Sequence, residues 1–188
     1  MKICFSRGAW STDDVSYAYS YRFPGTPEYL QQDDCVENRQ LSEQDYDWEN
    51  ISVFAKDKYV PGAKITTRCS LRGLAAPLIT IAKDIYDEGG EKKFGDYLEI
   101  VLYREGVNVW EMVMDENKTV TWKKLLGVKF PVTEDEAHTL TVETTADGMH
   151  ITADDKKIYL YRPMYESFYL GIDACEGLCR FYSMEIAQ

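Results

Sequence analysis

The sequence has few cations, almost no histidine and no long apolar run. Its 21 Lys and Arg stand against 32 Asp and Glu, for a net charge of −11. Binding a phosphate backbone needs a basic face, so we expect no nucleic-acid partner. The ordinary reading of such acidity is a soluble bacterial protein; a field that steers a cationic ligand is the alternative. No apolar stretch approaches the ~20 residues that span a bilayer, which argues against a membrane partner. The opening MKICFSRGAW has no apolar signal-peptide core, so we expect a cytoplasmic protein. His138 and His150 are the only histidines and there is no CxxC pair, so a zinc site would lack its usual set of about four ligands. Heptads, internal repeats and amphipathic helices longer than two turns are absent as well.

The five cysteines, Cys4, Cys35, Cys69, Cys175 and Cys179, are odd in number and irregularly spaced, unlike a disulfide framework. Cys175 and Cys179 flank Glu176-Gly177-Leu178, so a bridge across that turn is geometrically open. In a reducing compartment both stay thiols.

What the chain does have is alternation. With 188 residues, 45% of them hydrophobic and 13% aromatic, it can form one domain with a core that needs no staples. Ala137–Tyr161 reads as three short antiparallel strands joined by two tight turns. Asp147-Gly148 is a hairpin signal, because glycine tolerates the positive φ of a type I′ turn. A two-residue loop there sets Thr144 opposite Ile151. A second loop at Asp155-Lys156 sets Ala153 opposite Ile158. One face then carries Leu140, Val142, Ile151, Ala153, Ile158 and Leu160. Thr141, Glu143, His150, Thr152, Tyr159 and Tyr161 take the other. Both turns give the same two faces, and a one-residue slip would mix them.

Val15–Arg22 alternates as a strand and ends at the prolines of Phe23–Pro27. Residues 28–50 read as a long loop with at most one short strand or helical turn. Further strands are expected at Ile51–Ala55, Ala63–Leu71, Ala76–Ile85, Tyr97–Arg104, Val107–Met114, Lys118–Leu125, Phe168–Asp173 and Arg180–Ile186. Asp87–Gly90 and Pro131–Glu136 read as loops. More than ten short strands separated by turn signals argue an all-β antiparallel sandwich or jelly roll. We expect a single domain over residues 1–188, with 23–62 inserted as a long loop and strand over one face.

The meander 97–125 can be registered in the same way. Turns at Glu105-Gly106 and Glu116-Asn117 place Leu98, Ile100, Leu102, Val107, Val109, Val113, Val120 and Trp122 on the core face. Glu111 falls among them, so either it sits at a sheet edge or the register contains a bulge. The opposite face combines an indole, Trp110, with Tyr97, Tyr103, Glu99, Asn108 and Lys123. Sugar rings offer an apolar C–H face that stacks on aromatics and hydroxyls that need planar donors and acceptors, and a rigid sheet can present both. These six are the candidate ligand-binding residues. The alternative is that the aromatics pack beneath a loop or a second layer.

The chain resembles the concanavalin A-like lectin/glucanase superfamily over roughly residues 63–187. The resemblance is carried by His138-Thr139-Leu140-Thr141-Val142, by the hairpin Ala146-Asp147-Gly148-Met149, and by the closing Phe168-Tyr169-Leu170-Gly171-Ile172 … Gly177 … Phe181-Tyr182-Ser183-Met184-Glu185-Ile186. It implies a jelly roll of two curved antiparallel sheets, with ligands on the concave one. The superfamily includes lectins, carbohydrate-binding modules, glycoside hydrolases and polysaccharide lyases. Its laminarinase-like hydrolases carry ExDxxE on one strand face, and this sequence has no such motif. A lyase would need a base and a neutralising cation, and nothing in the sequence gathers Tyr103, Arg104, Arg68, Arg72 and His138 together. Both histidines begin strands and read as surface or edge residues. Members often hold a structural calcium, for which Asp33, Asp34, Glu37 and Asp173, with Asn38, are suitable oxygen donors. The alternative there is a solvated acidic loop.

The expected function is therefore recognition of an oligo- or polysaccharide on the concave sheet. The rivals are an intracellular carbohydrate-active enzyme of hydrolase or lyase type, and an accessory subunit whose aromatic face meets a partner protein or a second copy.

Overall fold

The computed structural model describes residues 1–20, 29–44, 48 and 50–188. The expected turn at Phe23–Pro27, the end of the Val15–Arg22 strand and part of the 28–50 loop lie outside these residues.

Eighteen strands follow one another along the described chain. They are β1 Lys2–Cys4, β2 Ser16–Tyr17, β3 Tyr19–Ser20, β4 Leu30–Gln31, β5 Val36–Glu37 and β6 Ile51–Phe54. Next come β7 Lys64–Arg72, β8 Ala76–Ala82, β9 Ile85–Glu88, β10 Glu91–Phe94, β11 Tyr97–Tyr103 and β12 Gly106–Met114. The last are β13 Val120–Lys129, β14 His138–Thr145, β15 Gly148–Ala153, β16 Lys156–Tyr161, β17 Tyr169–Cys175 and β18 Leu178–Ala187. Among the described residues a single 3-10 turn, at Thr12–Asp14, is closed by a reciprocal cap between Ser11 and Asp14.

The strands build two large antiparallel sheets. The first runs β16-β15-β14-β7-β18-β5-β4, with β1 also on β18; the second runs β13-β12-β11-β8-β17-β6-β2. The main core lies between them. Leu140, Val142, Ile151 and Ile65 come from the first sheet, and Ile79, Ile81, Leu98, Ile100, Val109 and Ile172 from the second. This is the layered solution that two half-apolar sheets reach by burying their apolar faces together.

A small third sheet, β3-β10-β9, lies apart from both. Phe94 of β10 packs with Ala18, and with Phe54, Ala82, Tyr97 and Met112 of the second sheet, in a separate buried cluster. The second sheet is thus covered on its inner face along its central strands and on part of its outer face. β8 shows the consequence: all seven residues of APLITIA are buried, and a strand covered on both faces reads as an unbroken apolar run.

The structure corrects several expectations. Val15–Arg22 is not one strand: β2 joins the second sheet, whereas β3 pairs in parallel with β10. Ala76–Ile85 divides into β8 and β9, and Asp87–Gly90 is the tip of the β9–β10 hairpin. The segment 28–50 holds β4, β5 and a bridge between Gln40 and Trp48.

Three hairpins keep their expected faces but close one residue earlier, which shifts each pairing partner by two. Leu102 meets Val107, Thr144 meets Met149, and Ile151 meets Ile158. Glycine misled the register, since Gly106 and Gly148 stand just after their turns. A Cβ at either would collide with a backbone oxygen of the neighbouring strand, at Val128 or Leu160 respectively. Glycine is required there by that close approach.

The β12–β13 turn differs by a single residue. Asp115 accepts bonds from the Asn117 and Thr119 amides, Lys118 takes φ 61°, and Met114 rather than Val113 meets Val120. That odd shift moves β13 to the other face, as the two-residue repeat of a strand demands. A bulge between Val109 and Trp110 interrupts the same pairing. Glu111 does point to the core side, at the sheet margin, where Arg162 of the other sheet's end donates to its Oε1 from Nε and Nη2 at 3.1 and 2.6 Å.

His138 is a second correction to a side chain. It is buried, not at the surface. Its Nδ1 bonds Asp154 Oδ2 and its Nε2 bonds the Thr133 carbonyl, both at 2.7 Å.

Candidate functional site

The outer face of the second sheet that the small sheet leaves open forms a cleft of about 600 Å³. Its floor is apolar: Ala76, Leu78 and Val101 pack together with Trp110 and Cys175. Tyr19 and Ser20 of the small sheet form one wall. Gly73–Ala75, Arg104, Glu105 and Glu176 form the other. The floor strands run from one wall to the other, so the cleft crosses them, with Trp122 of β13 at one end and Asn50 and Ser52 towards β6 at the other.

Of the six candidate ligand-binding residues, Glu99, Tyr103, Asn108 and Trp110 line this cleft. Tyr97 shares their face but lies under the small sheet, 1% exposed, with its hydroxyl donating to Ser20 Oγ at 3.2 Å. It is a packing residue of the second cluster. Lys123 pairs with Glu111 and points away from the cleft, and Trp122, expected in the core, takes its place on the cleft side with 49% exposure. Both corrections follow from the one-residue shift of β13.

Glu99 and Trp110 are directly opposed across β11 and β12, a position in which facing side chains come within about 5 Å at Cβ. Lys124 pairs with Trp110 from β13, and its ammonium lies 5.6 Å from the indole centroid. Asn108 faces Gly127, where a Cβ would lie 3.0 Å from Asn108 Oδ1. The missing side chain leaves room for the amide. That oxygen is buried and has no hydrogen-bond partner among the described residues.

Asp173 is the residue whose place the sequence did not reveal. It lines the cleft from β17. Its Oδ2 accepts from Ser52 Oγ at 2.5 Å and its Oδ1 from the Ala174 amide at 2.7 Å. Burial pushes its carboxyl well above the usual range, and the charge of Glu99 adds to this while the Ser52 and Ala174 bonds oppose it. Burial likewise raises the Tyr29 hydroxyl, and Asp173 contributes to that rise. The Cys175 thiol is also raised, mainly by burial. A polar residue in β17 offered a sequence signal for Asp173. Its relation to Glu99 required knowing that β8 alone separates the two strands.

The four expected calcium donors do not fit one ion. Asp33 is exposed beside Arg7, and Glu37 accepts from Arg180 Nε at 3.0 Å. Asp34 is exposed on the β4–β5 turn, and Asp173 belongs to the other sheet. Among the described residues no three His, Cys, Asp or Glu side chains gather as metal ligands. The groups weighed for a lyase are also dispersed: Tyr103 and Arg104 line the cleft, while Arg72 holds Asp135 and His138 lies in the first sheet. On β11 the cleft face reads Tyr97, Glu99, Val101, Tyr103, which gives one carboxylate on that strand. No helix among the described residues is long and apolar enough to cross a membrane.

No family model matches the sequence, and no curated protein matches it either. The fold has many solved counterparts. The carbohydrate-binding module CBM66 from Bacillus subtilis superposes with a TM-score of 0.63 at 12% identity, over 93% of this chain and 96% of that one. LamA from Z. galactanivorans, in complex with laminaritriose and laminaritetraose, gives 0.65 at 14% identity over 100% and 98%. The Bacillus licheniformis beta-glucanase gives 0.65 at 10% identity over 100% and 97%. With its two antiparallel sheets and these counterparts along its whole length, the chain is a jelly-roll sandwich of the concanavalin A-like type.

Proposed function

We propose that the cleft on the outer face of the second sheet binds an oligo- or polysaccharide. The observation that carries this is the pairing of two indoles, Trp110 and Trp122, with Glu99, Asn108 and Tyr103 around one apolar floor. The indoles supply flat apolar surfaces for the C–H faces of sugar rings. The carboxylate, amide and phenol supply acceptors and donors at the ring edge. The same fold holds laminari-oligosaccharides in LamA and forms a carbohydrate-binding module in CBM66, which supports a saccharide here. With a single carboxylate on the β11 cleft face, non-catalytic binding is the better fit.

The test is a thermal-shift screen against neutral, amino and acidic oligosaccharides, followed by Trp110→Ala. A true ligand raises the melting temperature by mass action. Trp110→Ala is expected to remove that shift, as loss of an aromatic anchor does. Its cost in stability should stay below the ~3–5 kcal/mol of a core Trp→Ala change, because Trp110 is only half-buried. Absence of a shift with every sugar would overturn the proposal.

A further inference from the structure

On the Trp110 side of the cleft two cations go unmatched. Arg104 lines the cleft, and Lys124 stands on the cleft face of β13, directly across from Trp110. Both are exposed, and neither pairs with a carboxylate among the described residues. The carboxylates of the cleft are otherwise occupied or remote. Glu99 already has a partner, and Glu105 faces Lys129 at 3.6 Å. Asp173 has both oxygens bonded, and its burial disfavours the charged form. Glu176 is exposed between β17 and β18, with β11 and β8 separating it from the indole strand.

Two features fit Lys124 to meet a ligand. Its ammonium lies 5.6 Å from the Trp110 centroid, held by the negative face of the ring. Gly127 leaves it that place, since a Cβ there would come within 2.8 Å of Lys124 Cε and 2.9 Å of its Nζ. Beside the same point, at 3.0 Å, is Asn108 Oδ1, a buried acceptor with no donor among the described residues. A buried acceptor left unpaired is costly, and a saccharide hydroxyl would satisfy it.

Geometry joins these groups. Glu99 and Lys124 flank Trp110 from β11 and β13, two strand spacings or about 10 Å apart. A sugar ring lying on the indole therefore turns one edge to a carboxylate that is already engaged and the other to an ammonium that is not. We propose that the saccharide taken by this cleft is acidic: an anionic ring substituent, a carboxylate or a sulfate ester, docks at Lys124 while the ring takes the ammonium's place on Trp110. This rests on the saccharide reading above and names its substrate class. The net charge of −11 opposes the approach of an anion, but salt screens exposed charges beyond about 8–10 Å, so the contact at the β13 edge decides.

The experiment compares short β-linked oligomers that share one backbone: glucose, glucuronate, 6-O-sulfated glucose and glucosamine, titrated calorimetrically at neutral pH and physiological salt. A charge-assisted hydrogen bond should make an acidic oligomer bind about tenfold more tightly than the glucose one, and the glucuronate and sulfate arms identify which anion is taken. Lys124→Met keeps an apolar stem without the charge and should bring the acidic-to-neutral ratio close to one, whereas Lys124→Arg should retain most of it. A melting curve establishes that each variant is folded. Equal or tighter binding of the glucose or glucosamine oligomer would overturn the proposal, as would an acidic preference that survives Lys124→Met. Binding of the neutral oligomer without an acidic preference leaves the saccharide reading standing. Failure of all four, together with a flat thermal-shift screen, removes that reading too.

Discussion

Thr80 is fully buried on the outer face of β8, and its hydroxyl has no hydrogen-bond partner among the described residues. A buried hydroxyl without a partner costs about 1–3 kcal/mol, and valine has nearly its shape without that penalty. Thr80→Val is therefore expected to raise stability by about 1 kcal/mol in urea unfolding, and a loss of stability would show that the hydroxyl has found a donor. The single-residue scale is also where the sequence was hardest to read. Glycines 106 and 148 looked like turn formers because the sequence displays only their neighbours along the chain. The group that excludes a side chain at each is a carbonyl on another strand. The same blindness hid Asp173, whose Ser52 and Glu99 neighbours come from strands distant in sequence.

Faces of elements were far more legible than their registers. The assignments for β11, β12 and β14–β16 survived a two-residue error because a strand repeats every two residues. β13 did not survive an error of one, and that single step exchanged Trp122 for Lys123 in the cleft. Its cause is local chemistry: the Asp115 carboxylate gathers two amides into a longer turn than a two-residue reading allows. Hydrophobic alternation carries no information about turn length. The small sheet escaped notice for a related reason: β9 and the start of β10 are mostly exposed and polar, so only Phe94 marks their buried side.

Between elements, His138 fastens the start of β14 to the β15–β16 turn and to the segment before it. With a carbonyl at one ring nitrogen and a carboxylate at the other, both nitrogens donate, which only the imidazolium can do. Burial opposes that charge, but the bonds to Thr133 and Asp154 outweigh it and raise the pKa above its ordinary value. A raised pKa in the folded state contributes stability that is complete below the unfolded value of about 6.5 and is lost as pH rises through the folded one. Urea unfolding should show stability falling over that interval. The fall should be smaller in Asp154→Asn, and an identical pH profile in that variant would refute the linkage.

For the molecule as a whole, all five cysteines are free thiols, Cys175 and Cys179 included. Cys4 is exposed, and its bond to Ser6 holds its pKa below the ordinary thiol value. Burial does the reverse at Cys69, Cys175 and Cys179, and it pushes Cys35 up to about 11. Since the thiolate is the reactive species, a colorimetric thiol reagent should titrate one cysteine rapidly in the native protein and all five after denaturation. A native count of three with no increase on reduction would indicate different exposure, and a denatured count of three that rises to five on reduction would reveal a disulfide.

The small sheet rests on the outside of the sandwich through a cluster of its own, on the opposite side of the second sheet from the main core. Its apolar hold on the rest of the molecule is the contact of Phe94, Ala18 and Ile85 with the cluster around Phe54, Tyr97, Ala82 and Met112, and polar contacts add to it, among them Tyr97 with Ser20, Lys92 with Ser16 and Lys118 with Glu88. A unit that lies outside the main core can detach without unfolding the whole. Amide protons of β9 and β10 should accordingly exchange with deuterium faster than those of β8 and β11, and by a local opening insensitive to changes in the main core. Each opening would withdraw Tyr19 and Ser20 from the cleft, so the rate at which a long ligand enters and leaves would be set by this wall and not by the sandwich beneath it.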